Sequence, residues 1–236
     1  MSFGTEGKIK TNTMFNKNKW LQPWFKLMAK QLSKPTGFFA RLTGKKMNET
    51  NRQMYEQVFG SMTVEDGDAI LEIGFGNGKF FPELNNKAKN LSLSGIELSQ
   101  EMVTEAIKNN HALVDAGTLK LQTGATNSLP FADNSFDKIF CINVIYFWED
   151  APAHLQEIKR VLKPGGKFYT GFRPAANMLQ IPFTQYGFRL YSEDEWKNVL
   201  DKNGFTVEGF TKTAGPKMKI GGRNILLEAV CMVGRK

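Results

Sequence analysis

The sequence predicts an α/β protein built on a doubly wound, mostly parallel sheet. Three observations carry this. From Asp68 onward, short apolar runs alternate with segments of helical period, the pattern of parallel strands joined by crossover helices. The first run, Ala69-Ile70-Leu71-Glu72-Ile73, opens directly into Gly74-Phe75-Gly76-Asn77-Gly78, a loop with glycine at every second position. A chain of 236 residues, 41% of them apolar, can bury the core of one such domain and carry an extension.

Residues 1–14 are polar and expected to be loose. From Phe15 to Leu32, Trp20, Leu21, Trp24, Phe25, Leu27, Met28 and Leu32 fall at helical spacing, with Pro23 as a helix start or kink. Pro35-Thr36-Gly37 reads as a break, Phe38–Leu42 as a second short apolar segment, and Gly44 as its end. A helix is expected over Asn48–Phe59, capped by Asn48 or Thr50, with Met54, Tyr55, Val58 and Phe59 inward. Residues 1–66 thus form a basic helical extension or lid, and 67–236 the main domain.

In the main domain, strand one is Ala69–Ile73, and a helix is expected from about Lys79. Strand two is Ser92–Glu97, and Ser99 caps a helix to about Asn109. Strand three is Leu119–Gln122 and strand four Phe136–Ile142. A helix over Ala151–Leu162 is stopped by Lys163-Pro164-Gly165-Gly166, and strand five is Lys167–Phe172. Ser192 caps a helix to about Asp201. Phe205–Phe210 and Asn224–Val233 read as two final strands joined by the polar segment 211–223.

The charge is uneven. Residues 1–60 hold eleven of the 31 basic residues and three acids, which accounts for the whole net charge of +8. Such an arm reads as a solvated helical face, or as an attractor for nucleic acid, an anionic membrane surface or an acidic substrate. Cys141 and Cys231 lie in apolar runs and read as buried thiols, which fits a reducing compartment. The two histidines and two cysteines have no zinc spacing, so no metal is expected. The first ten residues contain no apolar h-region, and no run reaches membrane-spanning length, so the expected location is the cytoplasm.

In an open α/β sheet, ligands bind beyond the carboxyl ends of the strands. Glycine at 74, 76 and 78 permits positive φ and lets a ligand lie against bare backbone. The loop lacks the dinucleotide spacing G-x-G-x-x-G, because Lys79 stands where the third glycine belongs. Glu72, two residues before the loop, is a poor neighbour for a pyrophosphate and a good one for a ligand with an ammonium and a sulfonium. Glu97 ends strand two, where its two oxygens match a ribose diol, and Leu98 beside it can cover an adenine face.

The spacing Glu72-x-Gly74-x-Gly76-x-Gly78 resembles the first motif of the class I S-adenosylmethionine (SAM) dependent methyltransferases. Gly124-Ala125-Thr126-Asn127-Ser128-Leu129-Pro130-Phe131 with Asp133-Asn134-Ser135-Phe136-Asp137 is similar to the same family's G-D-A-x-x-L-P-F and D-x-S-F-D segments. Glu157-x-x-Arg160-Val161-Leu162-Lys163-Pro164-Gly165-Gly166 adds a structural motif. The likeness covers roughly 68–172 and points to small-molecule enzymes similar to the ubiquinone and menaquinone biosynthesis group.

The resemblance implies a Rossmann-like sheet of seven strands whose last strand is antiparallel. It implies a SAM site formed by Glu72, Gly74, Phe75, Gly76, Gly78, Glu97, Leu98, Ala125, Thr126 and Asn143, with Asn143 near the transferable methyl. The family places an acid at position 125 to bind the adenine amino group. Ala125 has no acceptor, which leaves Thr126, Asn127 or a backbone carbonyl for that role. Tyr146, Phe147 and Trp148 line an acceptor pocket or belong to the core. Tyr146 is the side chain nominated as a base, although positioning suffices for this chemistry, and His154 reads as structural. Residues 1–60 and 174–190 are expected to cover the acceptor, a small molecule. The alternatives are an RNA or protein methyltransferase docking through the basic arm, and a SAM-binding protein without turnover. Asn143-Val144-Ile145-Tyr146 is not an N-P-P-Y tetrapeptide, which disfavours methylation of a base amino group.

Overall fold

The computed structural model describes residues 21–33, 38–215, 217–220 and 223–236. The expected loose start, the first turns of the 15–32 helix with Trp20, and the break at Pro35-Thr36-Gly37 lie outside the described residues. The strands are β1 (Ala69–Ile73), β2 (Ser92–Glu97), β3 (Leu119–Thr123), β4 (Phe136–Ile142), β5 (Leu162–Phe172), β6 (Thr206–Thr213), β7 (Lys217–Ile220), β8 (Arg223–Leu226) and β9 (Ala229–Arg235). Seven of them form one sheet in the order β3-β2-β1-β4-β5-β9-β6. Strands β1 to β5 pair in parallel, and β9 runs antiparallel between β5 and β6. The chain winds outward from β1 to β3 on one side and from β4 to β5 on the other, so the switch point lies between β1 and β4.

Burial on both faces explains why the central strands are almost continuously apolar. Ile70, Leu93, Phe140 and Tyr169 face a layer made by α2 (Phe38–Ser61), α3 (Phe81–Asn85) and α4 (Gln100–Asn109). Leu71, Ile73, Ile139 and Phe168 face the layer of α5 (Ala151–Val161) and α6 (Glu193–Lys202). Each such side chain contributes about 1.5–3 kcal/mol by leaving water. The caps form as expected. Ser99 accepts the N–H of Met102, and Ser192 forms a reciprocal capping box with Glu195.

The structure corrects four element boundaries. Gly44 ends nothing, and Asn48 and Thr50 cap nothing: α2 runs unbroken from Phe38 to Ser61. A glycine in a helix interior costs only about 1 kcal/mol. Burial of Met54, Tyr55, Val58 and Phe59, inward as expected, outweighs it. Helix α3 starts at Phe81 rather than Lys79, because the chain turns through Gly78, whose φ is +66°, and Pro82 sits in the first turn of the helix. Lys163-Pro164-Gly165-Gly166 belongs to β5, which already pairs Leu162 with Phe136 and then shifts register. The expected strand Asn224–Val233 is broken at Leu227 and Glu228, whose carbonyls bond to Arg173. Its first part, β8, pairs with β7 in a hairpin drawn from the segment read as a polar joint.

Helix α1 (Gln22–Ser33) packs against α2 and against the turn Pro182–Gln185. The Lys26 ammonium sits 5.7 Å from the centre of the Tyr186 ring. The extension and the 174–190 segment therefore meet above the carboxyl ends of the strands.

Candidate active site

Two adjoining cavities open at the switch point. The first is lined by the loop after β1, the ends of β2 and β4, and the segment after β3, with α1 and α2 closing it from above. Gly74 is required by space and by conformation. Its φ is +72°, and a Cβ there would stand 2.5 Å from Val144 Cγ2. Gly76, at φ +57°, is different: a Cβ there meets no protein atom within 4 Å, so it would point into open space at the cavity. Helix α4 holds the far side of the loop, with Asn109 Nδ2 donating to the Asn77 carbonyl and Asn110 Nδ2 to that of Gly78, each over 3.0 Å.

Glu97 is held by backbone donors at Gly76, Leu98 and Ser99. Gly76 N–H donates to Oε2 over 3.1 Å and Ser99 N–H to Oε1 over 3.0 Å. Each oxygen keeps a lone pair for a ligand hydroxyl. Burial pushes this carboxyl up, and the backbone donors partly offset it. Glu97 is the carboxylate among the described residues that line this cavity.

Glu72 stands beneath that surface. It is 2% exposed and is not among the lining residues; the Tyr55 side chain lies between it and the cavity and donates to Oε1 over 2.6 Å. Burial pushes the Glu72 carboxyl up to about 8, with the bond from Tyr55 acting in the opposite direction.

Of the residues nominated from sequence, Gly74, Phe75, Gly76, Glu97, Leu98, Ala125, Thr126 and Asn143 all line the first cavity, whereas Gly78 supports the loop from behind. Thr126 lines the cavity next to Ala125, and Asn127 does not.

Asn143 sits at the seam of the two cavities and lines both. Its φ of +58° is a left-handed conformation that costs a non-glycine residue about 1–2 kcal/mol. Asn143 Nδ2 donates to Asn51 Oδ1 over 2.9 Å, and Tyr146 Oη donates to Asn143 Oδ1 over 3.2 Å. The second cavity measures about 170 Å³ and is walled by Leu32, Phe147, Met178, Ile181, Phe183 and Phe188, with Tyr146 and Arg173 among its polar members. The three aromatics nominated together divide: Tyr146 faces the second cavity, Phe147 both, and Trp148 the first. The Tyr146 hydroxyl is pushed well up by burial. It bonds to the main chain of Arg173 as both donor and acceptor.

Sequence reasoning missed Asn51, Tyr55, His154 and Arg173 as site residues. The first two were helix positions with a core-like period. His154 stacks on Trp148 at 4.8 Å and 7° and lines the first cavity, and burial pushes its imidazole below the usual histidine range.

This arrangement suits a nucleoside with a polar tail in the first cavity and an apolar molecule in the second. Residues 71–170 match a family model described as a methyltransferase domain. The protein YrhH of Bacillus subtilis, whose name marks it as a methyltransferase, is 31% identical over 144 residues, which span 61% of this chain and 77% of YrhH. The chain belongs to the class I SAM-dependent methyltransferases. A ubiquinone/menaquinone biosynthesis C-methyltransferase of Rickettsia bellii is 37% identical over 146 residues, or 59% of this chain and 55% of that protein. Among solved structures, the chain bound to the Trm112 methyltransferase activator in a Haloferax volcanii complex superposes with a TM-score of 0.72, at 23% identity over 82% of this chain and 92% of that one. That likeness concerns the fold. The methyltransferase sheet expected from the sequence, with seven strands and an antiparallel partner near its end, is the one observed. Among the described residues, no helix is long and apolar enough to cross a membrane.

Proposed function

We propose that this methyltransferase transfers the methyl group of SAM to a nucleophilic atom of a small-molecule acceptor, by in-line displacement with positioning as the main catalytic device. The observation that carries the reading is the pair of adjoining cavities that share Asn143 and Phe147. One is glycine-lined and presents the Glu97 carboxylate, and the other is walled mainly by apolar side chains. Bound SAM supplies a methyl already made electrophilic by its sulfonium.

The residues fit that group. Glu97 offers two oriented oxygens to the ribose hydroxyls. Bare backbone at Gly74 and Gly76 admits the methionine portion, and Leu98 and Met102 supply apolar cover for adenine. Thr126, or a backbone group beside Ala125, takes the adenine edge. Glu72, beneath the cavity, acts through its hydrogen bond with Tyr55, which lines the cavity. Asn143 marks the junction where the methyl passes between cavities. Tyr146 holds the Asn143 amide and the Arg173 backbone, so its part is positioning.

The 1–66 extension and the 174–190 segment serve as the cover. Leu32 and Ser33 of α1, Asn48 and Asn51 of α2, and Phe183 and Phe188 of the segment support this by facing the cavities. Holding reactants in line and excluding water is worth about 7–11 kcal/mol. An apolar cavity of this size favours a small acceptor over RNA or a protein. Release of S-adenosylhomocysteine (SAH) tests this: turnover with pooled small aromatic acceptors, and none with RNA or unfolded protein, is expected. Turnover with RNA alone would overturn the acceptor class.

A further inference from the structure

Arg173 is an anomaly in the second cavity. The residue is 5% exposed and lines a space walled by leucine, isoleucine, methionine and phenylalanine. Among the described residues it forms no ion pair. Its partners are three main-chain carbonyls: Nη1 donates to those of Leu227 and Glu228 over 3.2 and 3.4 Å, and Nη2 to that of Thr50 over 2.9 Å. Nε has no acceptor among the described residues. Glu228, whose main-chain carbonyl Arg173 meets, points its own carboxylate to Lys212 instead. A guanidinium that stays ionised in an apolar wall without a counter-charge is costly, and burial already works against its charge. Carbonyl dipoles compensate only part of that cost. An anion entering the cavity would complete it.

Resting on the methyltransferase reading above, we propose that the acceptor is an apolar ring compound that binds as an anion, its charged oxygen held by Arg173. The cavity, about 170 Å³, is of the order of the roughly 150 Å³ that accommodates one aromatic ring, and it shares Leu32, Asn51, Asn143 and Phe147 with the first cavity. Met178, Ile181, Phe183 and Phe188 take the ring, and the cationic guanidinium takes the oxygen.

This also accounts for the lack of an evident base. When the anionic oxygen is the nucleophile, its lone pair forms the O–C bond as the C–S bond breaks. The electron pair of that bond stays on sulfur, and no proton has to be removed at that moment. One negative and one positive charge become two neutral products. When the anion is a ring carboxylate beside the reacting atom, Arg173 orients the acceptor instead.

The test uses the full chain loaded with SAH and three probes: 2-naphthoate, 2-naphthamide and 4-nitrophenol. Calorimetry should find 2-naphthoate at least tenfold tighter than the neutral amide. The absorbance of bound 4-nitrophenol should report phenolate about one pH unit below the midpoint of the free phenol. A gain for 4-nitrophenol alone assigns the anion to an acidic hydroxyl, and a gain for 2-naphthoate alone assigns it to a carboxylate. Arg173→Met should abolish both effects while still binding SAH, and Arg173→Lys should keep part of them. If Arg173→Met fails to fold, the wild-type comparison of charged and neutral probes still decides. Equal affinity for acid and amide, with nitrophenol bound in its neutral form, overturns the anion proposal and leaves the methyltransferase reading intact. Failure of the wild-type protein to bind SAH is the separate result that removes the reading beneath it.

Discussion

The Tyr55 hydroxyl, reaching inward from α2, donates to Glu72 Oε1 in the middle of β1 over 2.6 Å, and both side chains are buried. The contact ties α2 to the sheet beneath the first cavity. Among the described residues Tyr55 is the hydrogen-bond donor to the Glu72 carboxyl, which makes the pair sensitive to pH and to substitution.

In the folded protein Glu72 titrates near 8 rather than near 4.5. The native state therefore holds a proton that the unfolded chain has released between those values. Stability should fall as pH rises through that window, by at most about 1.4 kcal/mol per pH unit from this group. Denaturant melts of wild type and Glu72→Gln across the window should diverge, with the flatter profile in the variant. Parallel profiles would refute the assignment.

Tyr55→Phe removes the hydroxyl and leaves a buried carboxyl without its donor. The expected loss is about 1–3 kcal/mol of stability. SAM affinity should also fall, because the Tyr55 side chain lines the cavity. An unchanged denaturation midpoint would mean that Glu72 finds another partner.

Glu97→Ala takes away the carboxylate that Gly76 and Ser99 hold in place. Two hydrogen bonds to a charged group, at about 1.5 kcal/mol or more each, predict a loss of SAM affinity of at least tenfold. The same variant should lose affinity for adenosine, which shares the ribose. A loss confined to the methionine end would place Glu97 elsewhere in the site.

Asn143→Gly relieves the left-handed backbone, whose φ is +58°, while deleting the amide. Thermal stability should change by less than about 1 kcal/mol, because released strain offsets lost hydrogen bonds. The turnover rate should drop with little change in the apparent affinity for SAM. A stable variant with full turnover would show that the junction does not depend on this side chain.

Much of the molecule could be read before its coordinates. Strands β1, β2 and β4 were legible because strands buried on both faces carry short runs rich in apolar residues, and their ends are marked at Gly74, Glu97 and Asn143. The caps at Ser99 and Ser192 were legible because capping depends on a side chain within three residues. What failed was non-local. The continuity of α2 through Gly44 depends on packing that no five-residue window contains. The break at Leu227 and Glu228 depends on Arg173, over fifty positions earlier in the chain. Tyr55 and Asn51 carried only the period of a core helix, and nothing local distinguishes an inward tyrosine from one that meets a buried acid.

The most direct measurement of the central claim is a calorimetric titration of the full chain with SAM and, in parallel, with NAD. The account predicts that SAM binds, that NAD does not, and that Gly76→Val removes the SAM signal while the fold melts as a single transition. Uptake of NAD without a SAM response, or a Gly76→Val variant that binds SAM as the wild type does, would contradict it.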